Sequence, residues 1–172
     1  MIPSDHFVRF YNELFKFLET LPPEEMQAYY RSVSEHQEMH TLALFKEKGL
    51  KGMYEYWDHI RFEENCELEL ELHEDRLVKR MKKCPSLSKV LDNDASPCPK
   101  YCLHCPGWVH PVYTAAGLYE VYDLMEMDQP HCRSWLYEDL ERARAKCREL
   151  RQTIPAERIR INFTMPEDGQ DK

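Results

Sequence analysis

A stretch of ten residues, CPKYCLHCPG from Cys98 to Gly107, places three cysteines in the spacing C-x3-C-x2-C. Thiolates this close together repel one another unless a metal ion neutralises them or they oxidise in pairs. The two prolines of the stretch fix backbone φ angles and predict a rigid, non-helical loop of the kind that metal knuckles use. We therefore predict that the cysteines form a metal site and that this site constrains how the surrounding chain folds.

A metal held by thiolates usually takes four ligands, in a zinc knuckle as in an iron–sulfur cluster. The stretch supplies Cys98, Cys102 and Cys105. The predicted fourth ligand is Cys132, because it follows a tight turn at the start of a predicted strand. Cys84, which ends another predicted strand, is an alternative, and so is His104, since zinc also accepts a Cys3His set. The expected cofactor is an iron–sulfur cluster or zinc.

The chain of 172 residues is 42% hydrophobic and 31% charged, a balance typical of a soluble globular protein. Its length suits a single domain over 1–172. We divide this domain into a helical part, 1–65, and a part with the sheet and the cysteine cluster, 66–165. The net charge of −8 disfavours nucleic acid as a partner, because phosphate binding needs a basic surface.

Hydropathy and cysteine usage predict the compartment. No apolar run approaches the roughly 18 residues of a membrane span, so no membrane association is expected. The first residues lack the charged region and cleavage site of a secretory signal, and the protein is therefore expected in the cytoplasm. In that reducing compartment, clustering among seven cysteines indicates metal binding or redox chemistry rather than disulfides.

The N-terminal part has apolar residues at helical spacing. A first helix is predicted to begin at Ser4 and to end before Pro22. A second runs from Pro23 to just before Gly49, and a third covers about 51–63. The first helix is expected to bury one broad apolar face. The residues of that face are Phe7, Phe10, Tyr11, Leu14, Phe15 and Leu18.

After residue 65 the apolar period changes from 3.6 to 2. Strict alternation over 66–73 predicts a strand whose leucines face a core, and 77–83 predicts its antiparallel partner. We expect the basic run from Lys79 to Lys83 to form a solvated face opposite the glutamates. Further strands are predicted at 118–127, 131–137 and 158–163, and helices at 108–116 and 138–152. The predicted fold class is α+β, with a helical N-terminal half packed on a four- or five-stranded antiparallel sheet that the cysteine-rich loop interrupts.

The second predicted helix carries polar residues inside its apolar stripe. Gln37 lies near the middle of that stripe, and His40 lies close beside it. Buried polar groups must be hydrogen-bonded, and they can also line a pocket. One interpretation is that these side chains satisfy one another in the core. The alternative is a small-molecule pocket formed by Tyr30, Gln37, His40 and Trp108.

The C-x3-C-x2-C spacing is similar to the cluster motif of radical S-adenosylmethionine enzymes, over the residues CPKYCLHC. Those enzymes carry the motif after an early strand of a barrel. The part of this chain that follows Cys105 is far shorter than a typical barrel of roughly 250 residues. The resemblance therefore implies a [4Fe–4S] cluster as one occupant of the site, but not membership of that enzyme class.

The order of predicted elements over 66–137 resembles two protein families. A strand hairpin, a Cys-Pro pair and a cysteine-bearing helical segment lead to a strand pair, whose turn and following cysteine lie in the stretch from Tyr119 to Arg133. This order is similar to that of 4-vinyl reductase-type ligand-binding domains and of L-2-amino-thiazoline-4-carboxylic acid hydrolases. The resemblance implies a ligand-binding or hydrolytic relative with a cysteine-rich metal site, and it assigns no catalytic residue.

Three hypotheses for the function follow. The first is a cytoplasmic metal-binding protein whose cysteine cluster organises the second half of the fold beside a small-molecule pocket. The alternative is a small hydrolase with a cysteine nucleophile, for which His104 or His131 would be the base. A further alternative is a partner-binding adaptor that forms a homodimer through its aromatic N-terminal helix.

Overall fold

The computed structural model of the protein describes residues 5–92, 96–126 and 128–166, which form five α-helices and five strands. The helices are α1 (Asp5–Leu18), α2 (Pro23–Glu63), α3 (Pro85–Asp92), α4 (His104–Ala115) and α5 (Leu140–Arg151). The strands are β1 (Glu67–Leu72), β2 (Leu77–Lys83), β3 (Tyr119–Asp123), β4 (Cys132–Tyr137) and β5 (Ile159–Ile161). The predicted α+β class, with a helical N-terminal half and an antiparallel sheet, is confirmed. Ser4 and Met127, at the ends of two predicted elements, lie outside the described residues.

The strands form one sheet in the order β1-β2-β4-β3-β5, and all neighbours are antiparallel. Because side chains alternate along a strand, the sheet has two distinct faces. One face, which we call the inner face, packs against α2 and α4, with Leu77 and Leu136 in the same apolar cluster as Phe45 and Val112. The other face packs against α5. The core is therefore divided between the two sides of the sheet.

In the hairpin of β1 and β2, the basic residues lie opposite the glutamates as predicted, with one exception. Arg80 pairs with Glu71, and Lys82 with Glu69, on the exposed side that the charge pattern predicts. The prediction is wrong for Lys79, which is only 5% exposed. Two residues from Leu77 along the same strand, Lys79 shares its face and points into the inner side of the sheet.

The buried face of α1 is rotated relative to the predicted stripe. Phe7 and Phe10 are 63% and 61% exposed, so the prediction that they are buried is wrong. The buried side instead carries Val8, Asn12 and Phe15. The Asn12 side chain accepts a hydrogen bond from the backbone N–H of Cys98 at 2.8 Å, which satisfies a polar group of the cysteine-rich segment. The buried side of the helix thus combines apolar packing by Val8 and Phe15 with a polar contact by Asn12.

Helix α2 is kinked at Gly49, where the sequence predicts the end of one helix and a break before the next. Gly49 has φ 53° and ψ −133°, a conformation that only glycine adopts without strain. The N–H of Leu50 leaves the helical pattern and donates to Glu138 at 3.1 Å. A side chain on Gly49 would overlap the same carboxylate. Among the described helices, none combines length with enough apolar character to cross a membrane.

We expect Gly49→Ala to lower the free energy of unfolding by about 2–3 kcal/mol, because it adds backbone strain and displaces Glu138 from Leu50. Gly117→Ala is the matched control, since Gly117 also has positive φ, of 74°, but has open space around its Cα. The control isolates backbone strain and is expected to cost only about 1 kcal/mol. Denaturant unfolding of the two variants measures both values, and equal losses would contradict a role for Glu138.

Candidate functional site

Four of the cysteines come together on the inner face of the sheet. Cys84, Cys105 and Cys132 line one cavity of about 100 Å³. Cys102 lies close enough to interact electrostatically with all three. These residues belong to different parts of the chain. Cys84 directly follows β2, Cys102 lies in a 3-10 turn, Cys105 lies in the first turn of α4, and Cys132 begins β4. The fold thus gathers thiols that are distant in sequence around a common space.

Backbone pairing brings two of these cysteines to the same edge of the cavity. Met81 of β2 is opposite Cys132 of β4 in the sheet. Just beyond the pair, the N–H of Cys84 donates to the carbonyl of Pro130 at 2.6 Å. The turn that precedes β4 is thereby joined to the segment that follows β2. Strand pairing and this backbone hydrogen bond together bring Cys84 and Cys132 to the same cavity.

The other two cysteines lie where the chain enters α4. The predicted non-helical loop is wrong beyond Lys100, because Tyr101–Leu103 form a 3-10 turn and α4 already begins at His104. Pro106 does not prevent this, since a proline in the first helical turn has no intrahelical donor to lose. Cys105 consequently lies at the N-terminus of α4, where the helix dipole favours a thiolate.

Cys98 does not line this cavity, although Cys84 and Cys102 pack against the cluster that contains it. It is buried in the cluster under α1, together with Phe15 and Tyr101, and its N–H is held by Asn12. Burial raises the pKa of its thiol, and the charged groups that also affect this pKa are Glu19, Lys100 and Lys16 rather than other cysteines. The structure therefore brings the alternative Cys84 together with Cys105 and Cys132 at the cavity, with Cys102 close to all three, but it does not place Cys98 at the cavity.

The four thiols interact through their charges. Burial raises the pKa of Cys84 and of Cys105 to about 11 and that of Cys132 to about 12, and neighbouring thiolates add to the increase for Cys84 and Cys132. Opposing contributions come from the Leu87 N–H, 3.4 Å from the Cys84 sulfur, and from the Tyr122 hydroxyl, 3.1 Å from the Cys132 sulfur. At neutral pH these thiols are protonated unless a cation compensates their charge, which is the condition under which metal binding releases protons.

His104, an alternative ligand, is buried next to Cys105. Its Nδ1 is 2.5 Å from the carbonyl oxygen of Tyr101, and its Nε2 is 3.4 Å from the Cys105 sulfur. Burial lowers the pKa of the imidazole to about 4, so the ring is neutral at pH 7. A neutral ring whose Nδ1–H donates to Tyr101 leaves the Nε2 lone pair directed at Cys105. His104 is thus positioned to influence this thiol.

Nowhere in residues 5–92, 96–126 and 128–166 do three or more Cys, His, Asp or Glu side chains converge closely enough to hold a metal ion. The four cysteines are neighbours around a cavity rather than a preformed coordination sphere. Closing them on a metal would require their side chains to turn toward a common point. The metal site and its zinc or iron–sulfur cofactor therefore stay predictions.

The residues of the predicted small-molecule pocket lie in two separate places, Tyr30 and Trp108 in the cluster around Phe15 and Gln37 with His40 further along α2. Tyr30 packs its ring against Gly107 and lines a cavity of about 440 Å³ between α2 and α4. Gln37 and His40 line a depression formed by residues of α2 alone. Trp108 belongs to an aromatic cluster, with its ring 4.6 Å from that of His104. The structure does not bring Tyr30, Gln37, His40 and Trp108 to one pocket.

A buried ionic network adjoins the thiols and was not predicted. Lys79 Nζ lies 3.0 Å from one oxygen of Glu120, and His110 Nε2 lies 3.1 Å from the other. Glu120 is 0% exposed, and although burial raises its pKa, Lys79 and His110 outweigh this effect and lower the pKa to about 2. The ammonium of Lys79 also lies 4.2 Å from the centre of the Trp57 ring. The sequence signal for this network was the position of Lys79 between Leu77 and Met81 in an alternating strand.

Comparison of the chain with known protein families, with curated proteins and with solved structures found no match. The resemblance to 4-vinyl reductase-type domains and to the thiazoline-carboxylate hydrolases stays a prediction.

Proposed function

We propose that the protein binds a metal through Cys84, Cys102, Cys105 and Cys132. The observation that carries this proposal is the cavity that three of these thiols line, with the fourth beside it. The neighbouring cysteines raise the pKa values of Cys84 and Cys132, so their deprotonation requires a compensating positive charge, which a metal ion would supply. Four thiolates suit a tetrahedral zinc ion and a [4Fe–4S] cluster alike.

The bound metal would hold three elements together. Its ligands come from the end of β2, the entry to α4 and the start of β4, which meet on the inner face of the sheet. Because ligands distant in sequence meet only in the folded chain, the binding free energy would stabilise the fold. The proposed role is a cross-link that maintains the cavity between the sheet and the helices.

Anaerobic purification followed by metal and sulfide analysis tests the proposal. We expect either one zinc ion per chain or iron and sulfide in equal amounts, and removal of the metal by a chelator should lower the melting temperature by about 10 °C. This shift follows because a ligand present at about a thousand times its Kd contributes about 4 kcal/mol. A protein that binds neither added Zn²⁺ nor a reconstituted cluster, and whose melting temperature is insensitive to the chelator, would contradict the proposal.

A hydrolase with Cys105 as nucleophile is the second candidate, and the contact between Cys105 and His104 favours it. Cys105 would be the nucleophile and His104 the base, and the two side chains are in contact. The carbonyl of Tyr101 contacts the other ring nitrogen of His104 and would orient the ring. The pKa values oppose it, because burial raises that of the thiol to about 11 and lowers that of the imidazole to about 4. Alkylation of the purified protein separates the candidates. One hyper-reactive thiol supports catalysis, and four thiols that become reactive together after metal removal support metal binding.

A further inference from the structure

The cavity beside the thiols has a second, polar end. Lys79, Ser134 and Tyr122 lie opposite one another on β2, β4 and β3 and form a row across the inner face of the sheet. All three line the cavity. The row that contains Cys132 lies two residues further along the strands, which corresponds to about 7 Å. Lys79 and Ser134 are therefore separate from the proposed metal ligands, whereas the Tyr122 hydroxyl, 3.1 Å from the Cys132 sulfur, joins the polar end to the thiol end.

Ser134 is the observation that points to a ligand. Its side chain is 1% exposed, and its Oγ makes no hydrogen bond with any of the described residues. The hydroxyl lies near Glu120 and helps to lower its pKa, but it does not meet that carboxylate at hydrogen-bond geometry. Leaving a buried hydroxyl unpaired is unfavourable. Because Ser134 also lines the cavity, an atom of a molecule that enters this space can supply the partner.

The polar end offers donors and a positive charge. Lys79 contributes an ammonium, and Ser134 and Tyr122 contribute hydroxyls. Glu120 lies behind Lys79, with its two oxygens already contacted by Lys79 and His110. No Asp or Glu lines this cavity among the described residues. A ligand group that accepts hydrogen bonds and carries negative charge, such as a carboxylate, complements this end.

The walls and the size of the cavity restrict the rest of the ligand. Trp57 and Val109 close it from the side of the helices, and Leu68 closes it from β1. Its volume of about 100 Å³ exceeds the roughly 10–15 Å³ that a single water needs. It is smaller than the roughly 300–1,000 Å³ of pockets for larger organic ligands. The ligand is therefore a molecule of only a few non-hydrogen atoms with a short apolar tail.

We propose that this cavity binds a small monocarboxylate, with the carboxylate held by Lys79 and Ser134 and the apolar tail against Trp57 and Val109. The site extends beyond the proposed metal function, because neither Lys79 nor Ser134 is a metal ligand. Binding at this end supplies the Ser134 hydroxyl with the partner that the protein itself does not provide. The ion pair with Glu120 fixes the position of the Lys79 ammonium at the wall of the cavity.

A titration with propionate, and with propionamide as its uncharged analogue, tests this inference. The indole N–H of Trp57, which donates to the Tyr113 hydroxyl at 3.0 Å, reports on the cavity wall in NMR spectra of the labelled full-length protein. We expect propionate to shift this signal in a saturable manner and propionamide to leave it unchanged. The titration is run on the protein as purified and again after chelation, so that loss of a metal and loss of the carboxylate site are observed separately.

Ser134→Ala is the decisive variant, because it removes the hydroxyl and keeps both Lys79 and Glu120; its melting temperature is measured alongside to verify that it folds. We expect it to weaken propionate binding at least about tenfold, as the loss of one charge-assisted hydrogen bond predicts. Ser34→Ala is the control, because Ser34 is equally buried and unpartnered but lies on α2 and does not line the cavity. Unchanged affinity in Ser134→Ala, equal binding of the two probes, or no response of Trp57 to propionate would each overturn the inference; the last would mean that the cavity holds water alone.

Discussion

Replacing Cys102 by alanine is expected to abolish stoichiometric metal binding, whereas replacing Cys98 by alanine is expected to leave it intact. The two residues belong to one short motif, yet only Cys102 interacts with Cys84, Cys105 and Cys132. Removing a residue that only hydrogen-bonds to a metal ligand lowers metal affinity by up to about 100-fold. Removing one of the four ligands themselves should therefore lower it by more than about 100-fold. Metal content after purification and competitive Co²⁺ titration measure the difference.

Two controls accompany this comparison. Cys147→Ala removes another buried thiol, on α5 at the opposite face of the sheet, and should retain the metal. Cys84→Ala should behave like Cys102→Ala, because Cys84 lines the cavity. Retention of the metal in Cys102→Ala together with its loss in Cys98→Ala would show that the contiguous motif, and not the cavity, supplies the ligands.

Breaking the buried ion pair is the second large effect that we expect. Lys79→Met or Glu120→Gln should each lower the free energy of unfolding by about 3–5 kcal/mol, because each leaves the other charge buried with an incomplete set of partners. The double variant should lose less than the sum of the two single variants, since it removes both charges. Denaturant unfolding of all four proteins completes the cycle, and additive losses would show that the two side chains are not energetically coupled.

The same carboxylate predicts a pH dependence. Its pKa is lowered from 4.5 to about 2, so the folded state binds the Glu120 proton less tightly than the unfolded state. The resulting stability is present above pH 4.5 and is lost as the pH falls toward 2. The difference corresponds to about 3 kcal/mol. Glu120→Gln should therefore show a shallower loss of stability over this range than the unchanged protein.

The fold class was predictable because apolar periodicity reports directly on secondary structure. The leucines of 66–73 alternate with glutamates. That pattern predicts a strand with one face buried and the other exposed to solvent. The same rule, applied strictly, would also have predicted that Lys79 is buried. Lys79 is two residues from both Leu77 and Met81 and therefore shares their face of the strand. Its charge instead indicated an exposed position. A lysine is buried only where it has a partner, and the partner of Lys79 is Glu120 on another strand, which the sequence pattern does not reveal.

The set of cysteines was only partly predictable, because proximity in sequence is a poor guide to the direction of a side chain. Cys98 and Cys102 are four positions apart, but a 3-10 turn begins between them and Asn12 holds the backbone of Cys98 under α1. Cys84 and Cys132 meet through strand pairing, which a single sequence does not reveal. The prediction for the phenylalanines of α1 was wrong for a related reason. Aromatic residues occur on several sides of this helix, so periodicity alone does not identify its buried side.

The strand order has a consequence for how the chain folds. Strands β1 and β2 form one hairpin, β3 and β4 form another, and each can assemble from neighbouring residues. The seam between β2 and β4 joins residues separated by the whole cysteine-bearing segment, so it closes a long loop at a large cost in chain entropy. Such non-local pairings slow folding. We therefore expect this seam to form after the two hairpins, and the cysteines at its end to come together only when it has formed.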